Sequence, residues 1–180
     1  INRAVCHLWG SQDYGDLFGT SVAISGSTIA VGESGSPNND GRVYIFEQVG
    51  DTQEWALADV IESPIGGGYS FGSCLDIDGD NLVVSTFRSG IHSPTYLYER
   101  QPEGGWKNTI SFLHTSTTDK FVSLSGDKFV VGASGLWTYI YSQSADGDWS
   151  GVSITPAVGG TAISGSWAVV HHHEWLRMYF

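Results

Sequence analysis

Val22-Ala23-Ile24-Ser25-Gly26-Ser27-Thr28-Ile29-Ala30-Val31-Gly32 sets a glycine-centred turn between two apolar, β-branched runs. Val, Ile and Thr favour the pleated strand, and glycine readily supplies the positive φ of a tight hairpin turn. The same arrangement returns three times. Cys74-Leu75-Asp76-Ile77-Asp78-Gly79-Asp80-Asn81-Leu82-Val83-Val84-Ser85 is the second copy, and Phe121-Val122-Ser123-Leu124-Ser125-Gly126-Asp127-Lys128-Phe129-Val130-Val131-Gly132 the third. Thr161-Ala162-Ile163-Ser164-Gly165-Ser166-Trp167-Ala168-Val169-Val170 is the fourth. Gly26, Gly79, Gly126 and Gly165 hold one place in this repeat.

An aromatic-rich segment follows each hairpin: Val43-Tyr44-Ile45-Phe46, Tyr96-Leu97-Tyr98, Tyr139-Ile140-Tyr141 and Met178-Tyr179-Phe180. A fourth segment then starts at or near Trp55, Trp106 and Trp149. Four short strands per unit, at periods of roughly 40–50 residues, are the signature of a β-propeller blade. The fold class predicted is therefore all-β, a small propeller of four blades with four antiparallel strands each, in a single domain over residues 1–180. The phase adds a closure. Arg3 to Leu8 falls where the fourth strand of a preceding blade would lie, while the last copy ends on its third strand. The N-terminal strand is thus expected to complete the last blade and close the ring, which removes exposed edges. The alternative is a segment of a longer propeller.

Composition agrees with strands and turns. The 180 residues include 24 Gly, 23 aromatic residues of which 7 are Trp and 8 Tyr, and only 8 Lys plus Arg. A net charge of −11 disfavours nucleic acid, whose phosphates need clustered cations. It equally disfavours an anionic membrane surface and would suit a basic partner. No apolar run approaches the roughly 20 residues that span a bilayer. The chain begins at Ile1, which points to a processed form, in an organelle after transit-peptide removal or outside the cell.

Phe18-Gly19 precedes the first hairpin, and Phe71-Gly72 stands at the same offset before the second. With Val31-Gly32-Glu33-Ser34 and Gly41-Arg42-Val43-Tyr44-Ile45-Phe46, the first copy resembles an FG-GAP repeat. The likeness weakens along the chain, since Thr118-Asp119 and Ala157-Val158 replace Phe-Gly in the later copies. The family builds the propellers of integrin α subunits and of many bacterial and algal surface proteins. The resemblance therefore implies a propeller and an interaction role. Some members hold calcium in Asp-x-Asp-x-Asp-Gly loops, which Asp76-Ile77-Asp78-Gly79-Asp80 superficially fits. Asp78 and Asp80, however, replace Ser25 and Ser27 beside a hairpin glycine, and turn chemistry explains them without a metal. Asn38-Asn39-Asp40-Gly41 is likewise read as ordinary loop chemistry.

Other candidates are weaker. His171-His172-His173 cannot converge on one ion in a strand, because neighbours alternate faces, and is read as a turn with exposed imidazoles. Gly66-Gly67-Gly68 precedes a strand and reads as a flexible connector. No nucleophile, base and orienter stand out, so no catalytic, cofactor or metal residue is assigned. Cys6 and Cys74 fall on an outermost and an innermost strand, farther apart than the roughly 7 Å a disulfide allows, and both are expected as free thiols. Trp9, Trp137, Trp167 and Trp175 sit off the repeat pattern; core packing is expected, with exposed anchoring as the alternative.

These readings converge on a non-catalytic protein-protein interaction module, an accessory or structural subunit docked on a larger assembly. An extracellular adhesion module and a carbohydrate-binding propeller are the alternatives, the latter from aromatic faces and loop carboxylates.

Overall fold

A computed structural model describes residues 7–10, 15–35, 38, 40–90, 92–113, 120–133, 136–157, 160–172 and 175–179. These residues form fifteen strands and no helix. Blade 1 comprises β1 (Phe18–Ser25), β2 (Thr28–Glu33), β3 (Arg42–Gln48) and β4 (Trp55–Glu62). Blade 2 comprises β5 (Cys74–Asp78), β6 (Asn81–Ser85), β7 (Pro94–Arg100) and β8 (Trp106–Leu113). Blade 3 runs through β9 (Lys120–Ser125), β10 (Lys128–Ala133), β11 (Leu136–Gln143) and β12 (Trp149–Ala157). Blade 4 has β13 (Thr161–Ser164), β14 (Trp167–His172) and β15 (Trp175–Tyr179). Each is an antiparallel sheet with strands in sequence order.

The hairpin glycines carry the turns that the repeat implies. Gly26, Gly79, Gly126 and Gly165 have φ of +56°, +58°, +56° and +54°. The flanking pairs Ser25–Thr28, Asp78–Asn81, Ser125–Lys128 and Ser164–Trp167 leave two residues in each turn. That is the short loop whose twist matches the strands it joins. Trp55, Trp106 and Trp149 are the first residues of the three fourth strands.

Blades stack along the chain, with β1 beside β5, β5 beside β9, and β9 beside β13. Each junction is an apolar layer. Ala30, Val43 and Ile45 of blade 1 meet Leu75, Ile77, Leu82 and Val84 of blade 2. Val83 and Leu97 of blade 2 meet Val122, Leu124, Phe129 and Val131 of blade 3. Val130 and Ile140 of blade 3 meet Ile163 and Ala168 of blade 4. Full burial of one such side chain contributes roughly 1.5–3 kcal/mol.

The Phe-Gly pair has a physical task. Phe71 is buried against Tyr96 and Tyr98, ring centroids 5.9 and 6.0 Å away, both edge-on. Gly72, at φ +82°, turns the chain so that its carbonyl accepts from Ser21 Oγ at 2.7 Å. That carbonyl lies so close to β2 that a Cβ on Gly32 would stand 2.1 Å from it. Phe18 packs edge-on to Tyr44 at 5.3 Å in the same way. In blade 3 a neighbour supplies the aromatic: Phe112 of β8 lies 5.3 Å from Phe129 and 4.2 Å from Tyr141.

A polar ladder runs beside the apolar layers. The turn-glycine N–H of each blade donates to the side chain before the turn of the previous one. Gly79 N donates to Ser25 Oγ at 3.0 Å, Gly126 N to Asp78 Oδ2 at 2.7 Å, and Gly165 N to Ser125 Oγ at 2.9 Å. Two residues earlier, Leu124 N donates to Asp76 Oδ2 at 2.8 Å and Ile163 N to Ser123 Oγ at 3.2 Å. The sequence register thus fixes the stacking register.

Several expectations are revised. No ring closes among the described residues, because β13 does not pack on β1. Among the described residues blade 4 has three strands, with β15 at one side of the sheet. Of the strand expected from Arg3 to Leu8, residues 1–6 lie outside the described residues, as does Cys6. Leu8 packs instead on Val31, Tyr44 and Phe46, where blade 1 offers it an apolar bed nearby in sequence. Trp9 and Trp167 are exposed rather than core. The side chains of Trp137 and Trp175 lie outside the described residues. Cys74 is a free thiol against the junction of blades 2 and 3.

Candidate functional site

The aspartates singled out by sequence are drawn into structure. Asp76 and Asp78 serve the polar ladder, and Asp76 Oδ1 also accepts from Ile77 N at 2.9 Å. Asp80 lies 3.3 Å from Arg100 Nε. Arg100 reaches back to blade 1, pairing with Glu47 and donating to Thr28 Oγ1 at 2.6 Å, while its guanidinium lies 4.9 Å from the ring centroid of Trp106. This is a clamp between blades 1 and 2. Asp40 Oδ1 accepts from Gly68 N at 2.6 Å, so the Asn38–Gly41 loop holds the glycine connector in place. Asn39 lies outside the described residues.

The buried Glu33 accepts from Tyr44 Oη at 3.3 Å and has Arg42 Nε at 3.8 Å, and Arg42 reaches Glu62 at 3.5 Å. His171 and His172 end β14 rather than forming a turn, and His171 N donates to Gly160 O at 3.2 Å. His173 lies outside the described residues. Among the described residues no three His, Cys, Asp or Glu side chains gather to hold a metal. Nor is any helix there long and apolar enough to cross a membrane.

What remains open are the two ends of the stack. Column for column, Ile24 of β1 corresponds to Ile77, Leu124 and Ile163. Ile77 and Leu124 are 4% and 6% exposed beneath the preceding blade, whereas Ile24 is 62% exposed. Val22 is open in the same way, although Leu75 and Val122 in its column are buried. At the other end, Met178 corresponds to Ile45 and Leu97, both fully buried by the following blade, yet Met178 is 64% exposed. Leu176 stands open where Val43 is buried. Strand alternation puts Leu176 and Met178 on one side of β15. Singly exposed apolar residues are ordinary, but here two exposed faces match faces that are buried elsewhere in the same chain.

Residues 12–46 match the FG-GAP repeat family. The match takes in β1, β2 and most of β3 of blade 1, including Phe18-Gly19 and the Tyr44 ring on which Phe18 rests. The other blades repeat the hairpin and stacking geometry of blade 1, with equivalent turns and junctions. No curated protein matches the chain.

Reading the sequence alone missed the open faces. The columns of the repeat hold the signal, since Val22, Ile24 and Met178 are exposed in columns that hold core residues in other copies. Expected closure covered both faces on paper.

Proposed function

We propose that this chain is a non-catalytic protein-protein interaction module, a propeller-type blade stack that serves as an accessory or structural subunit. The observation that carries this reading is the exposure of Ile24 and Met178, whose counterparts Ile77, Leu124 and Ile163, and Ile45 and Leu97, are buried where blades meet. A protein surface fits such faces: flat, apolar at the centre and rimmed by hydrogen-bonding groups. The FG-GAP match at residues 12–46 supports the same class, given the resemblance to propellers of adhesive surface proteins. Asp76 and Asp78, which a calcium loop would use, accept hydrogen bonds from blade 3, and Asp80 pairs with Arg100. Native mass spectrometry of material captured from the source cells tests the proposal. A stoichiometric assembly lost with Met178→Glu is expected. Recovery of the same material irrespective of Met178→Glu and Ile24→Glu would overturn it.

A further inference from the structure

The two open faces are the two halves of a contact that this chain makes three times over. In each junction the leading blade contributes an apolar pair, Ala30 with Ile45, Val83 with Leu97, or Val130 with Ile140. It also contributes an acceptor before its turn, Ser25, Asp78 or Ser125. The following blade contributes first-strand side chains, Leu75 with Ile77, Val122 with Leu124, or Ile163, and the turn-glycine N–H. Blade 4 presents the leading half again, with Val169 and Met178 paired across β14 and β15 and Ser164 before its turn. Blade 1 presents the following half, with Val22, Ile24 and the N–H of Gly26.

We propose that blade 4 of one copy docks on blade 1 of a second copy, in the register of the interior junctions. Met178 then covers Val22 and Ile24, and Ser164 Oγ accepts from Gly26 N. Among the described residues of one copy the two halves do not meet, since β13 and β1 are not packed together. A second copy is favoured over an unrelated protein because it satisfies both ends with one contact whose chemistry is already built three times. The contact is heterologous, so copies form a ring where the rotation closes and a filament where it does not. Each copy carries a net charge of −11, so salt that screens this repulsion strengthens the contact. This inference names the partner of the interaction surface proposed above and rests on that reading.

Sedimentation of the full chain over a concentration series tests it. Wild type is expected to associate, more strongly at higher salt, whereas Ile24→Glu and Met178→Glu are each expected to stay monomeric. Mixing the two variants should restore a heteromer, because the intact blade 4 of the first meets the intact blade 1 of the second. Ile24→Ser and Met178→Ser take their place where a Glu variant fails to fold. A wild-type chain monomeric at every concentration, or a mixture that stays monomeric, overturns the proposal. If that monomer still captures another protein in a Met178-dependent way, self-association fails and the interaction-module reading stands. If capture is indifferent to both faces, both fail.

Discussion

The backbone N–H of Gly126 in blade 3 donates to Oδ2 of Asp78 in blade 2 across 2.7 Å. One carboxylate at the end of β5 therefore does for the next blade what Ser25 and Ser125 do with hydroxyls. Its neighbour Asp76 repeats the arrangement deeper in the junction, on Leu124 N. Charged acceptors make shorter and stronger bonds than hydroxyls do.

Depth decides how much each carboxylate contributes. Asp76 accepts from two backbone N–H groups at a partly buried site, so Asp76→Ala should cost about 1–3 kcal/mol by leaving those donors unmet. Asp78→Ala, at an exposed rung where water can substitute, should cost about 0.5–1 kcal/mol. Denaturant titration compares the two. Equal losses would mean that burial does not govern the ladder.

Alanine at the repeat-equivalent apolar positions should separate junction from end. Ile77→Ala and Leu124→Ala are expected to cost about 2–5 kcal/mol. Ile24→Ala in the dilute monomer should change stability by no more than about 0.5 kcal/mol. A large loss at Ile24 would mean that another blade covers it in the monomer.

Two glycines of one hairpin make a sharper contrast. Gly26 has φ +56° and nothing near its missing Cβ, so Gly26→Ala should cost only the left-handed backbone strain, about 1–2 kcal/mol. Gly32→Ala drives a methyl to 2.1 Å from the carbonyl oxygen of Gly72 and must push blade 2 away from blade 1. Thermal unfolding should show Gly32→Ala as the more damaging, by an overpacking cost of about 1–3 kcal/mol.

Burial also sets an alkaline limit. It pushes the Tyr141 hydroxyl from 10.0 up to about 12, with Tyr139 nearby adding to the effect, and it raises Tyr96 and Tyr98 as well. The folded state then holds protons that the unfolded chain releases, so stability is full below pH 10 and declines as pH rises toward 12. Tyrosinate absorbance should therefore appear together with loss of the near-ultraviolet circular dichroism. Tyr141→Phe should flatten part of that pH dependence.

The repeat made much of this fold legible. A glycine between apolar runs is a local signal, and the four turns, the third strands and the tryptophans opening the fourth strands all follow from it. The aspartates were legible as turn-flanking groups, but not as ladder rungs. Their partners, Leu124 and Gly126, are 48 residues away, and no local pattern encodes that distance. The turn expected at His171 rested on a column that elsewhere holds Gly or Ser, whereas β14 continues to His172. Closure is not found among the described residues. Phase counts strands, but only the packing of β13 against β1 could join the ends.

Phe112 carries a consequence for how such a chain can be taken apart. It belongs to blade 2 by sequence, yet its ring completes the aromatic cluster of Phe129 and Tyr141 in blade 3. Cutting or exchanging modules at the visible repeat boundary, after β8, would strand that ring with the wrong neighbour. The unit that can be transplanted is offset from the unit that can be seen, and a copy that loses its motif can survive on loan from the one before it.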